Sequence, residues 1–333
     1  MLSEQRPLLS AALIVKNEER NLPRCLRSIQ SLVDEVIVLD TGSTDRTIEI
    51  ARELGAKVFE EPWQDDFSLH RNHSIEKASG EWVLTIDADE ELVDTNVEET
   101  RHRLRSGDLP PVLLVREHLQ YPHGRAVTYY NPRILKADSG IRYVYRVHEQ
   151  LDSGDTRSLL SNVHLLHHGY MDEATQLAKE RRNLKLALAM PDNDPHALHC
   201  RARSFSALSR YPEAMAAAGS LVSVPVSDTL LIEGCILGAQ AAFNCRDDQA
   251  LNRFLVRGEA VAPNSPDIAN IKALQALRNY AKLLTDGDST KTADFVRPWM
   301  FWHSTARVQT AAAILCGLGD DTVVEINRGG RPE

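Results

Sequence analysis

Between Leu8 and Leu92 the sequence alternates short apolar runs with helical spacings, and no other feature constrains the fold as strongly. Leu8–Val15 (LLSAALIV), Glu35–Asp40 (EVIVLD), Lys57–Glu60 and the run Trp82, Val83, Leu84, Ile86 are of strand length. The first two are apolar almost without a break, as expected for strands covered on both faces. Three helical signals separate them. Leu22, Leu26, Ile29 and Val33 share one face behind Asn21 as cap and Pro23 in the first turn. Ile48, Ala51 and Leu54 share another ahead of Gly55, and Phe67–Ser79 runs up to Gly80. Such β-α-β-α-β-α-β alternation predicts an α/β fold, a doubly wound and mainly parallel sheet with right-handed crossovers.

In open sheets of this kind ligands bind beyond the carboxyl ends of the strands. The polar clusters Asn17-Glu18, Asp40–Asp45 and Asp87–Asp89 all fall there. Asp87 and Asp89 stand two residues apart, so an extended backbone points both carboxylates to one face. They repel unless they share a cation, and a hard, oxygen-seeking ion such as Mg²⁺ or Mn²⁺ fits that need. An isolated acidic turn would read as a solvated strand end. Three polar clusters along one sheet edge favour a site instead.

The rest of the composition narrows the partners. A net charge of −9 and scattered arginines give no electrostatic support for nucleic-acid binding. There is no apolar run near 18 residues and no signal peptide, so no transmembrane segment is expected. Five dispersed cysteines (Cys25, Cys200, Cys235, Cys245, Cys316), without a C-x-x-C pair, read as reduced thiols of a cytoplasmic protein. The length of 333 residues suits about two domains.

AALIVKNEERNL, EVIVLDTGSTDRT and FSLHRNHSIEKASGEWVLTIDADEEL, in this order and spacing, resemble the inverting glycosyltransferases of family two. The resemblance covers Leu8 to Tyr170. It implies the GT-A nucleotide-diphospho-sugar transferase fold, a nucleotide-sugar donor and a divalent metal, Mg²⁺ or Mn²⁺. By that resemblance Asp40, Asp45 and Arg71 contact the nucleoside, Asn17 and Glu18 line the same pocket, Asp87 lies near the ribose and Asp89 binds the metal. Chemistry supports these roles, because a nucleoside diphosphate leaving group develops charge that a cation offsets. Displacement at an anomeric carbon also needs a base for the acceptor's proton. Val147-His148-Glu149-Gln150-Leu151 resembles a segment of a family-two subgroup, which makes Glu149 the expected base with His148 beside it. An exposed strand-end pair is the plainer reading of the same residues. Of His167 and His168, the one next to Gly169, His168, is the expected further metal ligand.

Past Asp94 the pattern loosens. Thr95-x-x-Glu98 reads as a capping box for a helix ending near Gly107, and Val112–Val115, Tyr129–Lys136 and Ile141–Leu151 read as strands. From Asp172 the texture turns helical. Leu177–Met190 reads as one amphipathic helix. Leu198, Ala202, Phe205, Tyr211 and Ala214 then match the spacing of a tetratricopeptide repeat, and Gly234, Gly238, Ala241, Asp247 and Ala250 repeat it 36 residues later. That is close to the ~34 residues of the class. Ile268–Leu284 reads as a third, weaker copy, Trp299–Trp302 as core or interface packing and Asn327–Glu333 as a tail. The expected organisation is a glycosyltransferase domain over 1–171, an all-α helical-repeat domain over 172–318 and a flexible tail over 319–333.

The reading is a metal-dependent hexosyltransferase using a nucleotide-sugar such as UDP-glucose. The acceptor is a peptide or glycan, and a homodimer through the helical domain is open. Within the family the chain is similar both to lipopolysaccharide-core glucosyltransferases and to sublancin-type peptide S-glycosyltransferases, and the helical tail suits the second group. A sugar nucleotidyltransferase would need a glycine-rich loop after the first strand, where this chain has Lys16-Asn17-Glu18-Glu19. A non-catalytic scaffold carrying a degenerate domain is the other alternative, although such domains lose their metal acids and Asp87 and Asp89 are both present.

Overall fold

The structure, a computed structural model, describes residues 6–120, 126–154, 158–169 and 173–265, with 268, 271, 272 and 275. These divide into two units, one reaching Gln176 and one beginning at Leu177.

In the first unit β1 (Leu9–Val15) pairs in parallel with β2 (Glu35–Asp40) on one side and β4 (Trp82–Thr85) on the other, and β2 pairs in parallel with β3 (Lys57–Glu60). Beyond β4 the sheet continues with β7 (Ala126–Lys136), antiparallel to both β4 and β6 (Val112–Gln120). The strand β10 (Ser158–His167) runs parallel to β6, and β5 (Glu90–Val93) closes that edge antiparallel to it. The spatial order is β3-β2-β1-β4-β7-β6-β10-β5. The sequence expectation of a doubly wound, mainly parallel sheet holds, with an antiparallel extension.

Strand alternation divides the core between the two faces. Leu13, Leu84, Leu113 and Leu165 pack against Leu22, Leu26 and Ile29 of α1 (Leu22–Ile29) and Leu104 of α4 (Val97–Arg105). The neighbouring residues Ala12, Val83 and Leu135 pack on the other face with Ile75 of α3 (Phe67–Glu76) and Tyr143. The helix α2 (Thr47–Glu53) adds Ala51 to the first cluster. Each fully buried Leu or Ile contributes roughly 1.5–3 kcal/mol.

Two expected caps are corrected. Asn21 takes a helical conformation and donates to Glu18 Oε2 at 2.9 Å, leaving the start of α1 without a side-chain cap. Asn96, not Thr95, caps α4, accepting from the Glu99 amide at 3.2 Å, because Thr95 donates to the Val93 carbonyl instead. Ile141–Leu151 forms only two short strands, β8 (Tyr143–Val144) and β9 (Gln150–Leu151), around a loop with left-handed backbone at Tyr145 and His148.

The second unit takes in α5 (Glu173–Leu188) from Leu177 onward and two helical hairpins. The hairpins are α6 (Pro195–Ala207) with α7 (Tyr211–Leu221), and α8 (Asp228–Cys245) with α9 (Asp248–Glu259). They coincide with the two sequence copies. Asp194, Ser227 and Asp247 cap α6, α8 and α9 by accepting from the third amide of each helix. Ala202, Phe205, Ala214, Ala241 and Ala250 are buried in its core. A Cβ on Gly238 would stand 2.3 Å from the Phe254 ring, so glycine there permits the close approach of α8 and α9. Most of Ile268–Leu284, and all of Trp299–Trp302, Cys316 and 319–333, lie outside the described residues. Among the described residues no helix is long and apolar enough to cross a membrane.

Candidate functional site

At the carboxyl ends of β1 and β2 the two connecting loops are stitched together by side chains. Asn17, whose φ is 57°, accepts from the Thr44 amide through Oδ1 at 2.8 Å, and its own amide donates to Ser43 Oγ at 2.8 Å. Asparagine tolerates this left-handed backbone better than most residues. The Glu18 amide donates to Thr47 Oγ1 at 2.7 Å and the Glu19 amide to Asp45 Oδ2 at 3.2 Å. Burial pushes the Asp45 carboxyl up, but bonds from the Thr47 hydroxyl and amide outweigh it and hold it below the usual range. Asp40 ends β2 and is 1% exposed. Its Oδ1 accepts from the Gly42 and Ser43 amides at 2.9 and 2.8 Å, whereas Oδ2 is buried without a hydrogen-bond partner.

Next to it, the end of β4 carries a buried charge network. Asp87 Oδ1 accepts from Arg71 Nη2 at 3.2 Å, and Oδ2 lies 3.5 Å from Arg133 Nη2. Arg71 also donates to Glu149 Oε1 through Nε at 3.0 Å and Nη2 at 2.8 Å. Arg133 donates to Glu117 at 2.6 Å and Glu90 at 3.0 Å, and Asn131 holds the other Glu117 oxygen at 2.7 Å. Tyr143 lies beneath Arg71, its ring centroid 5.2 Å from the guanidinium carbon. Burial raises the Asp87 carboxyl, but Arg71 and then Arg133 outweigh it and hold the group well below the usual carboxylate range. Glu90 goes the other way: burial, with Asp87 and Glu117 nearby, pushes it well above that range. Arg71 Nη1 is buried without a partner, a second unsatisfied polar atom at this end of the sheet.

Chain topology brings Glu149 to Arg71 across 78 residues. Buried Val147 anchors its loop, and the Phe67 amide donates to the Arg146 carbonyl at 2.9 Å, tying the loop to the start of α3.

Asp89 follows Asp87, and its Oδ1 lies 3.6 Å from His167 Nε2, both side chains 12% exposed. His168, the expected further metal ligand, donates through its amide to the Asp89 carbonyl at 2.9 Å, while its Nε2 lies 3.0 Å from Glu91 Oε2. The Asp89 carboxylate suits Mg²⁺ or Mn²⁺ when substrate phosphates supply further ligands, and an imidazole donor beside it favours Mn²⁺, the transition ion, over Mg²⁺. Among the described residues no group of three His, Cys, Asp or Glu side chains could hold a metal by itself. Cys25 donates to the Asp87 carbonyl at 3.4 Å, and burial pushes its thiol well up, so it is no nucleophile.

The structure thus gathers Asp87, Arg71 and Glu149 into one network and Asn17, Glu18, Asp40 and Asp45 into the adjoining loop pair. Sequence reasoning missed Arg133, Glu90 and Glu117. A usable signal existed: Arg133 sits in the strand-like run Asn131–Lys136, where a cation needs buried partners.

Residues 10–116 match the family model described as Glycosyl transferase family 2. The chain is 42% identical over 147 residues to a TPR repeat-containing protein of Synechococcus elongatus, a stretch covering 43% of this chain and 35% of that one. It is 26% identical over 225 residues to the SPbeta prophage-derived glycosyltransferase SunS of Bacillus subtilis, covering 63% of this chain and 52% of the relative. Among solved structures, TarS 1-349 of S. aureus in complex with UDP-GlcNAc aligns with a TM-score of 0.46 and 16% identity over 76% of this chain and 91% of that one. The chain spans between about a third and a half of the length of these two curated relatives.

Proposed function

We propose that this chain, whose residues 10–116 match the family-two glycosyltransferase model, transfers a hexose from a nucleotide-sugar, UDP-linked, to an acceptor with inversion. One observation carries the reading: the buried, unpartnered Oδ2 of Asp40 at the carboxyl end of β2. An acceptor oxygen held in a dry site without a hydrogen bond is costly unless a donor arrives, and the imide N–H of uracil is such a donor. The Asn17–Asp45 loop pair frames that base. Arg71 offers its unsatisfied Nη1 to the donor while Asp87 and Glu149 hold its guanidinium in place.

Asp89 and His167 would hold a divalent ion. When bound, the ion offsets the charge that develops on the departing diphosphate. Glu149 receives the acceptor's proton as the acceptor atom bonds to the anomeric carbon and the carbon–oxygen bond to the diphosphate breaks. Arg71 fixes Glu149 through Oε1, which orients the carboxylate for that transfer. A peptide acceptor and a role for the helical repeats in binding it remain part of the proposal.

The test is calorimetric titration of UDP, GDP and UDP-glucose, with and without Mn²⁺, against the parent chain, Asp40→Asn and Asp89→Ala. Metal-dependent UDP binding that weakens about tenfold or more in Asp40→Asn and loses its metal dependence in Asp89→Ala is expected. No nucleotide binding with metal present would refute the reading.

A further inference from the structure

Beyond the network around Asp87, β6, β7 and β10 carry a second group of cationic and polar side chains. Arg116 pairs in register with Tyr130 on one side and His164 on the other, and His118 pairs with Thr128. Residues paired in register share a face, so these side chains point together, on the face opposite Glu117. The His118 and His164 rings lie 6.0 Å apart at 77°, and His118 Nδ1 lies 3.0 Å from Thr128 Oγ1. Arg116 sits over the Tyr130 ring at 5.7 Å.

Arg71 and Arg133 have carboxylates on their guanidinium groups. Arg116 has none among the described residues, and its Nε is buried without a hydrogen-bond partner. All four of these large side chains are half-buried. Burial, then Arg116 and His118, lowers the His164 imidazole below its ordinary value, against the opposing pull of Asp94. A planar guanidinium fork flanked by imidazole N–H groups matches an oxyanion.

We infer that Arg116, His118 and His164 form a binding site for a phosphate-class oxyanion, carried by the acceptor. That the anion belongs to the acceptor rests on the glycosyltransferase reading; that the site takes an anion does not. The donor's groups have other partners, Asp40 at β2 and the Asp89–His167 pair at the other side of β10.

The test follows the histidine ring ¹³C–¹H signals of the full chain during titration with inorganic phosphate, glycerol phosphate and, as a carboxylate arm, acetate. Both phosphates should shift the His118 and His164 signals saturably in the millimolar range. Arg116→Gln should weaken this about tenfold or more, as expected for loss of a charge-assisted contact, and leave UDP affinity within about twofold. Arg116→Lys should retain part of the binding. If Arg116→Gln does not fold, His118→Gln replaces it. Rings that do not respond, or an unchanged phosphate affinity in the variant, would overturn the site. Glycerol phosphate binding about tenfold weaker than inorganic phosphate would overturn its assignment to the acceptor. Phosphate binding in a chain that binds no nucleotide would keep the site and defeat the glycosyltransferase reading instead.

Discussion

Replacing Glu35 by Gln tests how much a single buried carboxylate at the opposite end of the sheet holds the first unit together. Glu35 begins β2, and its side chain is 5% exposed. Its Oε1 accepts from Lys57 Nζ at 2.6 Å and Ser79 Oγ at 3.0 Å, and its Oε2 from Ser10 Oγ at 2.6 Å and the Ser79 amide at 2.8 Å. These bonds join β1, β2, β3 and the turn before β4. Gly80 completes the turn, since a Cβ there would meet Ser10 Oγ at 2.6 Å. Burial pushes the Glu35 carboxyl up, but Lys57, Ser10 and Ser79 together bring it from 4.5 down to about 2. The folded value is depressed, so the contribution is present above the unfolded value and is lost as pH falls from about 5 toward about 2. The shift corresponds to about 3.4 kcal/mol at most, and discounting for the exposed Lys57 leaves about 2–3 kcal/mol. Glu35→Gln resembles the protonated acid, so it should lose that amount at pH 7. Urea unfolding followed by the fluorescence of Trp63 and Trp82 measures the gap to the parent chain. Between pH 7 and pH 4 the gap should narrow by about 1 kcal/mol, because only the parent titrates. A gap under about 0.5 kcal/mol at pH 7, or one that stays constant with pH, would refute the argument.

Two further perturbations probe the other observations. Arg133→Met leaves Glu117 without its buried cation and Asp87 with Arg71 alone, and should cost about 3–5 kcal/mol of stability in the first unit, with Glu117→Gln in the same chain restoring part of it; a loss under about 1 kcal/mol in urea unfolding would show the network to be dispensable. Gly238→Ala must displace the Phe254 ring, so thermal unfolding of the helical unit should reveal a loss of about 1–3 kcal/mol, and an unchanged or raised melting temperature would mean that α8 and α9 accommodate the methyl group.

Local chemistry made much of this protein legible in its sequence. The apolar runs at Leu8–Val15 and Glu35–Asp40 named their strands almost to the residue, because a strand buried on both faces has no other way to be written. The rule that ligands gather beyond parallel strand ends led to Asn17, Asp40, Asp87 and Asp89, which the fold sets at or just past the ends of β1, β2 and β4. The helical copies were equally plain, since Ala214 and Ala250 stand 36 residues apart in equivalent second helices.

What the sequence could not decide were the long-range pairings. Whether His167 or His168 faces Asp89 depends on the pleat of β10 against β5, a one-residue phase that composition does not record. That Glu149 is bound to Arg71, and that Arg133 and Glu117 share Asp87's environment, follows from a loop and a strand meeting β4 from distant parts of the chain. Short-range patterns specify which residues are buried and on which face. The partner of each buried charge is chosen only when folding closes the sheet and low dielectric makes an unpaired charge too costly to keep.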